Sequence, residues 1–128
     1  MGSVRVERTE DGFVARNERG AEIEMGTGDG LFSPVELLLA AVGGCNVMTV
    51  EPLTAQRGHR LVRLAVEVSA EKESPTLLRS ITVTYDVETP SEDSREVFEA
   101  VAERVDERHC TVSRSLRKGT EVRLDLGR

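Results

Sequence analysis

Cys45 and Cys110 are the only cysteines in the chain, and His59 and His109 its only histidines. A thiolate is both a nucleophile and a metal ligand, and its reactivity follows from whatever lowers its pKa. The two cysteines lie far apart and show no C-x-x-C spacing, so a thioredoxin-type motif is absent. A zinc site asks for about four ligands. Only the fold could gather Cys45, Cys110, His59 and His109, because no spacing here resembles a finger or a ribbon. No bound metal is expected. A free cysteine is often just a small buried hydrophobe, which is the plain role open to Cys45. Cys110 could equally be an ordinary loop cysteine. Gly43 and Gly44, directly before Cys45, argue for more. Each glycine inside a helix costs roughly 1 kcal/mol relative to alanine. Close approach of another backbone or of a ligand beside Cys45 would offset that cost.

The element that must carry Cys45 is well signed. Ser33 is a good N-cap, Pro34 suits the first helical position, and Glu36 completes an S-x-x-E capping box. From Leu37 to Val50 the chain is almost free of charge, as in a helix buried on all sides. The double glycine and the Glu51-Pro52 pair make the run too short and too interrupted for a membrane span. The helix is expected to reach Gln56 or Arg57 before Gly58, with Pro52 kinking it or ending its buried part near Met48.

Before it, Val4–Arg8, Phe13–Arg16 and Ala21–Met25 read as strands, with Asp11-Gly12 as a two-residue hairpin turn. After it, Leu64, Val66, Val68 and Ala70 alternate with polar residues, then Ile81, Val83, Tyr85 and Val87 do the same beyond a turn at Lys72–Thr76. These make a hairpin with one buried face. A second helix opens at Thr89-Pro90-Ser91-Glu92 and buries Val97, Phe98, Val101 and Val105. Cys110 follows it, then a short turn or helix closed by Gly119, and a last strand carrying Val122, Leu124 and Leu126. The order gives an α+β fold with largely antiparallel sheet.

The chain has 128 residues, which suggests one domain, and a formal charge of -6. Its basic residues are scattered singly among acids, which disfavours nucleic acid and anionic membrane as partners. Aromatic content is 3%, so the core must be small and aliphatic, and oligomerisation would help to stabilise it. The N-terminus shows no apolar signal-peptide run, and a cytoplasmic location is expected. In that compartment a cysteine pair is more often redox-active than a permanent staple.

The two cysteine segments together resemble the OsmC/Ohr family, the osmotically induced and organic-hydroperoxide-resistance proteins. Ser33-Pro34-Val35-Glu36-Leu37-Leu38-Leu39-Ala40-Ala41-Val42-Gly43-Gly44-Cys45 looks like its first cysteine motif, and Cys110-Thr111-Val112-Ser113-Arg114-Ser115-Leu116 like its second. The form of the first is similar to the YhfA-like subgroup. The resemblance spans nearly the whole chain, residues 1–128, as one OsmC-like domain. It implies antiparallel sheets around a central buried cysteine-bearing helix, in an intertwined homodimer. It also implies a thiol-dependent peroxidase acting on organic hydroperoxides, with Cys45 peroxidatic and Cys110 resolving. Gly43, Gly44 and Glu36 would support the site. The reductant would be an external dithiol, in some members a lipoylated protein, and no cofactor is implied.

One position departs from the hydroperoxide-resistance branch. That branch has a glutamate directly after the motif proline, paired with an arginine that activates the peroxidatic thiol. Here the position is Val35. Glu36 points about 100° away around the helix and is expected to serve the cap. Arg8, Arg16 and Arg19 lie in the N-terminal strands, outside any such motif. Two other functions therefore stay open: a redox sensor or thiol carrier, and a non-enzymatic dimer binding a small apolar molecule.

Overall fold

The computed structural model describes residues 2–127. The chain divides after Leu38 into two compact units.

The first unit is a three-stranded antiparallel sheet in the order β1-β2-β3, from β1 (Val4–Arg8), β2 (Phe13–Asn17) and β3 (Glu22–Met25). Alternation fixes its register, with Val6 opposite Ala15 and Ala15 opposite Ile23. Val14 is its one buried apolar residue among those described, whereas Val4, Val6, Phe13 and Ile23 are exposed. Arg16 bridges the strands, bonding Glu7 on one side and Glu22 on the other. The β1–β2 connection is Thr9–Gly12 rather than a two-residue turn at Asp11-Gly12. Thr9 N–H donates to the Gly12 carbonyl at 2.7 Å and Gly12 N–H to Thr9 Oγ1 at 3.1 Å, so the threonine shapes the turn.

Helix α1 (Pro34–Gln56) begins at the end of this unit. Its capping box is formed: Ser33 N–H donates to Glu36 Oε1 at 2.9 Å, and Glu36 N–H to Ser33 Oγ at 3.2 Å. α1 runs for 23 residues through both glycines and Pro52. By length and composition it could cross a membrane, so the expectation that it is too short and interrupted does not hold. Nor does Pro52 end its buried part near Met48, since Val50 and Thr54 are buried beyond it. Pro52 lacks the backbone donor and crowds the carbonyl four residues before it, yet the helix continues past it to Gln56.

The second unit holds the core. β4 (Arg63–Ser74) and β5 (Leu77–Glu88) form a long antiparallel hairpin with Leu64 opposite Val87, Val66 opposite Tyr85 and Val68 opposite Val83. α1 packs into this unit through Val42, Gly43, Asn46, Val50 and Thr54, a stripe at four-residue spacing with Gly43 beside it. A Cβ on Gly43 would lie 2.8 Å from Val68 Cγ2 and 3.1 Å from Val66 Cγ2. The first glycine therefore admits two β4 side chains, rather than a backbone. Gly44 faces open space. α1 is fully buried along this stripe, whereas Met48 is 78% exposed.

Helix α2 (Glu92–Arg104) lays Phe98 and Val101 into the core with Val50, Leu61, Val105 and Cys110. Its cap is Ser91, whose Oγ accepts from Ser94 N–H, and not Thr89. Thr89 Oγ1 instead donates to the Ser91 carbonyl. One π-helical turn, Val105–His109, extends α2, and α3 (Thr111–Lys118) ends at Gly119 in the left-handed conformation with φ 67°. The last strand is not formed in this chain. Val122, Leu124 and Leu126 are 92%, 85% and 80% exposed, and no strand pairs with them among the described residues. Alternation alone does not make a strand where no neighbouring edge takes up its hydrogen bonds.

Candidate active site

The fold brings Cys45 and Cys110 together. Cys45 sits in mid-α1 and is partly exposed, whereas Cys110 is completely buried between the π turn and α3. Both thiols are free, and Cys45 packs against the buried cluster that contains Cys110. Cys110 stands at the N-cap of α3, where the first-turn amides lack helical partners. The amide of Cys110 itself is satisfied by the Val105 carbonyl at 2.8 Å, the bond that closes the π turn.

Two further polar side chains complete the site. Asn46 is buried on α1 next to Cys45, and Ser113 is buried on α3. Asn46 Nδ2 donates to the Val42 carbonyl at 2.8 Å. The same nitrogen lies 3.6 Å from Cys110 Sγ and 3.5 Å from Ser113 Oγ. Ser113 Oγ and Cys110 Sγ are hydrogen-bonded at 3.2 Å. The sequence offered one signal for Asn46, a polar residue in an apolar helix, and the i, i+3 spacing of Cys110 and Ser113 around a helix start.

The pair is electrically uneven. Burial and the neighbouring Cys110 push the Cys45 thiol above its ordinary value, against the amides of Val112 and Thr111. Burial also pushes Cys110 up, but Cys45, the Ser113 hydroxyl and the Ser113 amide outweigh it, and Cys110 ends below its ordinary value. Tyr85 lies nearby on β5. Its hydroxyl is buried without a partner among the described residues, and desolvation raises its pKa to about 12, helped by Asp106 and Cys110.

The other expected residues take other places. Gly43 serves packing against β4, and Gly44 has no neighbour beside it. Glu36 is engaged with Ser33, whose hydrogen bonds hold its carboxyl below the usual range. His59 Nδ1 is bonded to Ser94 Oγ at 2.9 Å, and His109 is exposed. No three His, Cys, Asp or Glu side chains cluster as metal ligands among the described residues.

With the two cysteines brought to one cluster, comparison with known proteins becomes informative. Residues 26–125 match the family described as OsmC-like protein. The chain belongs to the OsmC-like family. An uncharacterised protein of Mycobacterium tuberculosis is 32% identical over 133 residues, covering 98% of this chain and 96% of the relative. Protein YhfA of Escherichia coli is 29% identical, covering 86% of this chain and 84% of YhfA. Among solved structures, the organic hydroperoxide resistance protein OhrB of Bacillus subtilis superposes with a TM-score of 0.62 at 21% identity, covering 98% of this chain and 96% of OhrB. The α+β architecture with antiparallel sheets is that of the OsmC-like proteins.

Proposed function

We propose that the chain is a thiol-dependent peroxidase that reduces organic hydroperoxides with Cys45 and Cys110. The observation that carries this reading is the packing of Cys45 against the buried cluster that holds Cys110, at the start of α3. Cys45 is the partly exposed member, so it meets the peroxide. Its sulfur attacks the terminal peroxide oxygen, the O–O bond breaks, and an alcohol leaves after protonation. Cys45 is then a sulfenic acid. Cys110 attacks that sulfur, expels water after protonation, and closes a disulfide. A dithiol, such as the lipoyl group of a carrier protein, reopens it by exchange. No cofactor takes part.

The working form is a homodimer. Its support is unburied apolar surface: the open side of α1 with Met48 and Gly44, and the extended Val122–Leu126 segment. Exposed, alternating, unpaired residues of this kind are a ready partner for another strand. Sedimentation at micromolar concentration should give a dimer, and a stable monomer would remove this part of the proposal.

The chemistry is tested by peroxide loss with a sulfenic-acid trap. Wild type should turn over with a dithiol and form an intramolecular Cys45–Cys110 disulfide on peptide mapping. Cys45→Ser should consume no peroxide. Cys110→Ser should consume one equivalent and stop, with Cys45 trapped as sulfenic acid. Bulky organic hydroperoxides should react faster than hydrogen peroxide, because Leu, Val, Ala and Met surround Cys45 in sequence. A wild type inert with every dithiol would leave a small-molecule-binding dimer as the better account.

A further inference from the structure

We propose that Arg117 is a positioning residue for Cys110: its guanidinium, fastened to Asp106, holds α3 closed over the buried sulfur, so that an outside reagent finds Cys45 and not Cys110. The choice of sulfur during turnover rests on the peroxidase reading, while the closure of the corner does not.

Cys110 lies at a corner of the chain. The α2–π winding ends on one side of it, and α3 begins on the other. A helix end leaves carbonyls without amide partners, and the wider π turn changes which amides reach back. Cys110 N–H goes to the Val105 carbonyl, where α-helical winding would have given it to Asp106. The Asp106 carbonyl instead accepts from Arg117 Nη1 at 3.0 Å. Arg117 Nη2 donates to the Asp106 carboxylate at 2.6 Å, so one guanidinium grips one residue at two points. Arg114, three residues earlier on α3 and on the same face, donates to the Arg108 carbonyl at 3.3 Å. The C-terminal end of a helix carries partial negative charge, which these two cations suit.

The bonds tie the far end of α3 to the turn that precedes Cys110. The tie lies roughly 10 Å along α3 from Cys110, at 1.5 Å per residue. It closes a loop with Cys110 at the apex. Under that loop Ser113 is buried, Val112 packs against the core, and Cys110 has no exposed surface. Cys45 keeps some. Arg117 and Asp106 are themselves about half-exposed, so their pair adds little to global stability. Its effect falls on the local opening of one corner.

That opening decides which sulfur the reductant meets. In the reset step a thiolate of the dithiol attacks the Cys45 sulfur. A new S–S bond forms to Cys45, the Cys45–Cys110 bond breaks, and its electron pair leaves on Cys110, which is protonated to the thiol. The second thiol of the reductant then attacks the first sulfur, expels Cys45 as a thiol after protonation, and closes the reductant's own disulfide. The reductant loses two electrons and the protein disulfide gains them. Attack on Cys110 would instead carry the reductant into the core, which the closed corner forbids.

The test starts from Cys45→Ser, where Cys110 is the single thiol, and follows its reaction with dithiobis-nitrobenzoate, a bulky aromatic disulfide. Labelling should be slow. Adding Arg117→Ala should speed it about tenfold, as loss of a charge-assisted hydrogen bond shifts a local opening equilibrium. Removing a cation can only lower the thiolate fraction, so faster labelling reports access. Asp106→Asn keeps the carbonyl, and Arg117→Lys keeps the charge but offers a single point; each should fall between. Arg63→Ala breaks an exposed pair with Asp86, 2.8 Å long, on the β4–β5 hairpin and should leave the rate unchanged. Melting temperature should barely move, and labelling of Arg117→Ala should vary little with urea below the unfolding transition, the mark of local rather than global opening. Equal rates with and without Arg117, free labelling of Cys110 in the Cys45→Ser parent, or an acceleration that tracks global unfolding would overturn the latch. With both cysteines present, the oxidised protein and a bulky monothiol should give a mixed disulfide on Cys45 in wild type, and on both cysteines in Arg117→Ala. A wild type modified mainly at Cys110 would overturn the choice of sulfur. Labelling needs neither peroxide nor dithiol, so a protein that fails as a peroxidase still decides whether Arg117 holds the corner shut.

Discussion

The two units of this chain are held by different forces. The first sheet buries one apolar residue, Val14, and laces its strands with Arg16 between Glu7 and Glu22. The second unit buries Val50, Phe98, Val101, Val105 and Cys110 against the β4–β5 hairpin. Exposed ion pairs contribute roughly 0–1 kcal/mol, whereas burying one large apolar side chain contributes about 1.5–3 kcal/mol. The lesson is that the chemistry sits where position is fixed by packing. The thiols share the cluster of the second unit, and a shift there moves the sulfurs.

The contrast can be broken most sharply at Phe98. It is buried and meets Tyr85 edge to face, with ring centroids 5.2 Å apart. Phe98→Ala should cost about 3–5 kcal/mol in denaturant unfolding, the usual range for such truncations. A loss below ~1 kcal/mol would mean that the cluster is not the stabilising core.

Gly43 comes next. Gly43→Val forces side-chain atoms into Val66 and Val68, and overpacking of this kind costs about 1–3 kcal/mol. Gly44→Val faces open space in the chain, so it should leave monomer packing intact and, in the proposed dimer, weaken association instead. Melting temperature and sedimentation, measured on both variants, separate the two glycines.

Tyr85→Phe removes a buried hydroxyl that has no partner, and should stabilise the fold by about 1 kcal/mol. The same residue predicts a pH effect. Its folded pKa is about 12 and the ordinary value is 10. Above pH 10 the unfolded chain therefore gives up a proton that the folded chain keeps. Its contribution is complete below pH 10 and is lost as pH rises towards 12. Unfolding free energies measured across that interval should fall more steeply in wild type than in Tyr85→Phe.

The smallest effect belongs to the first sheet. Arg16→Ala should change stability by less than about 1 kcal/mol, and added salt should shrink the difference further. A larger loss would place real packing energy in that sheet.

Much of this arrangement was legible in the chain itself. Two-residue alternation gives β4 and β5, because one face of the hairpin is buried. Ser33, Pro34 and Glu36 announce α1 because orphan amides need acceptors. What was hidden depends on contacts remote in sequence. Thr89 and Ser91 both offer a capping oxygen; Ser91 caps α2, while Thr89 Oγ1 donates to the Ser91 carbonyl. Val122–Leu126 has the alternation of a strand but finds no edge in this chain. Asn46 and Ser113 matter only through Cys110, which lies far from Asn46 in sequence.

The π turn sets the register between two parts of one continuous winding. Cys110 N–H reaches back to the carbonyl of Val105, five residues earlier, so the turn holds one residue more than α-helical winding would. An α-helix advances about 100° per residue, so that surplus residue works as an angular spacer. Wound as ordinary α-helix, the same residues would carry Cys110 about 100° further round the axis; the wider π turn absorbs that surplus and keeps Cys110 facing as it does. The meeting of the sulfurs is in this sense a matter of phase: a single residue in the winding decides which way the second thiol faces.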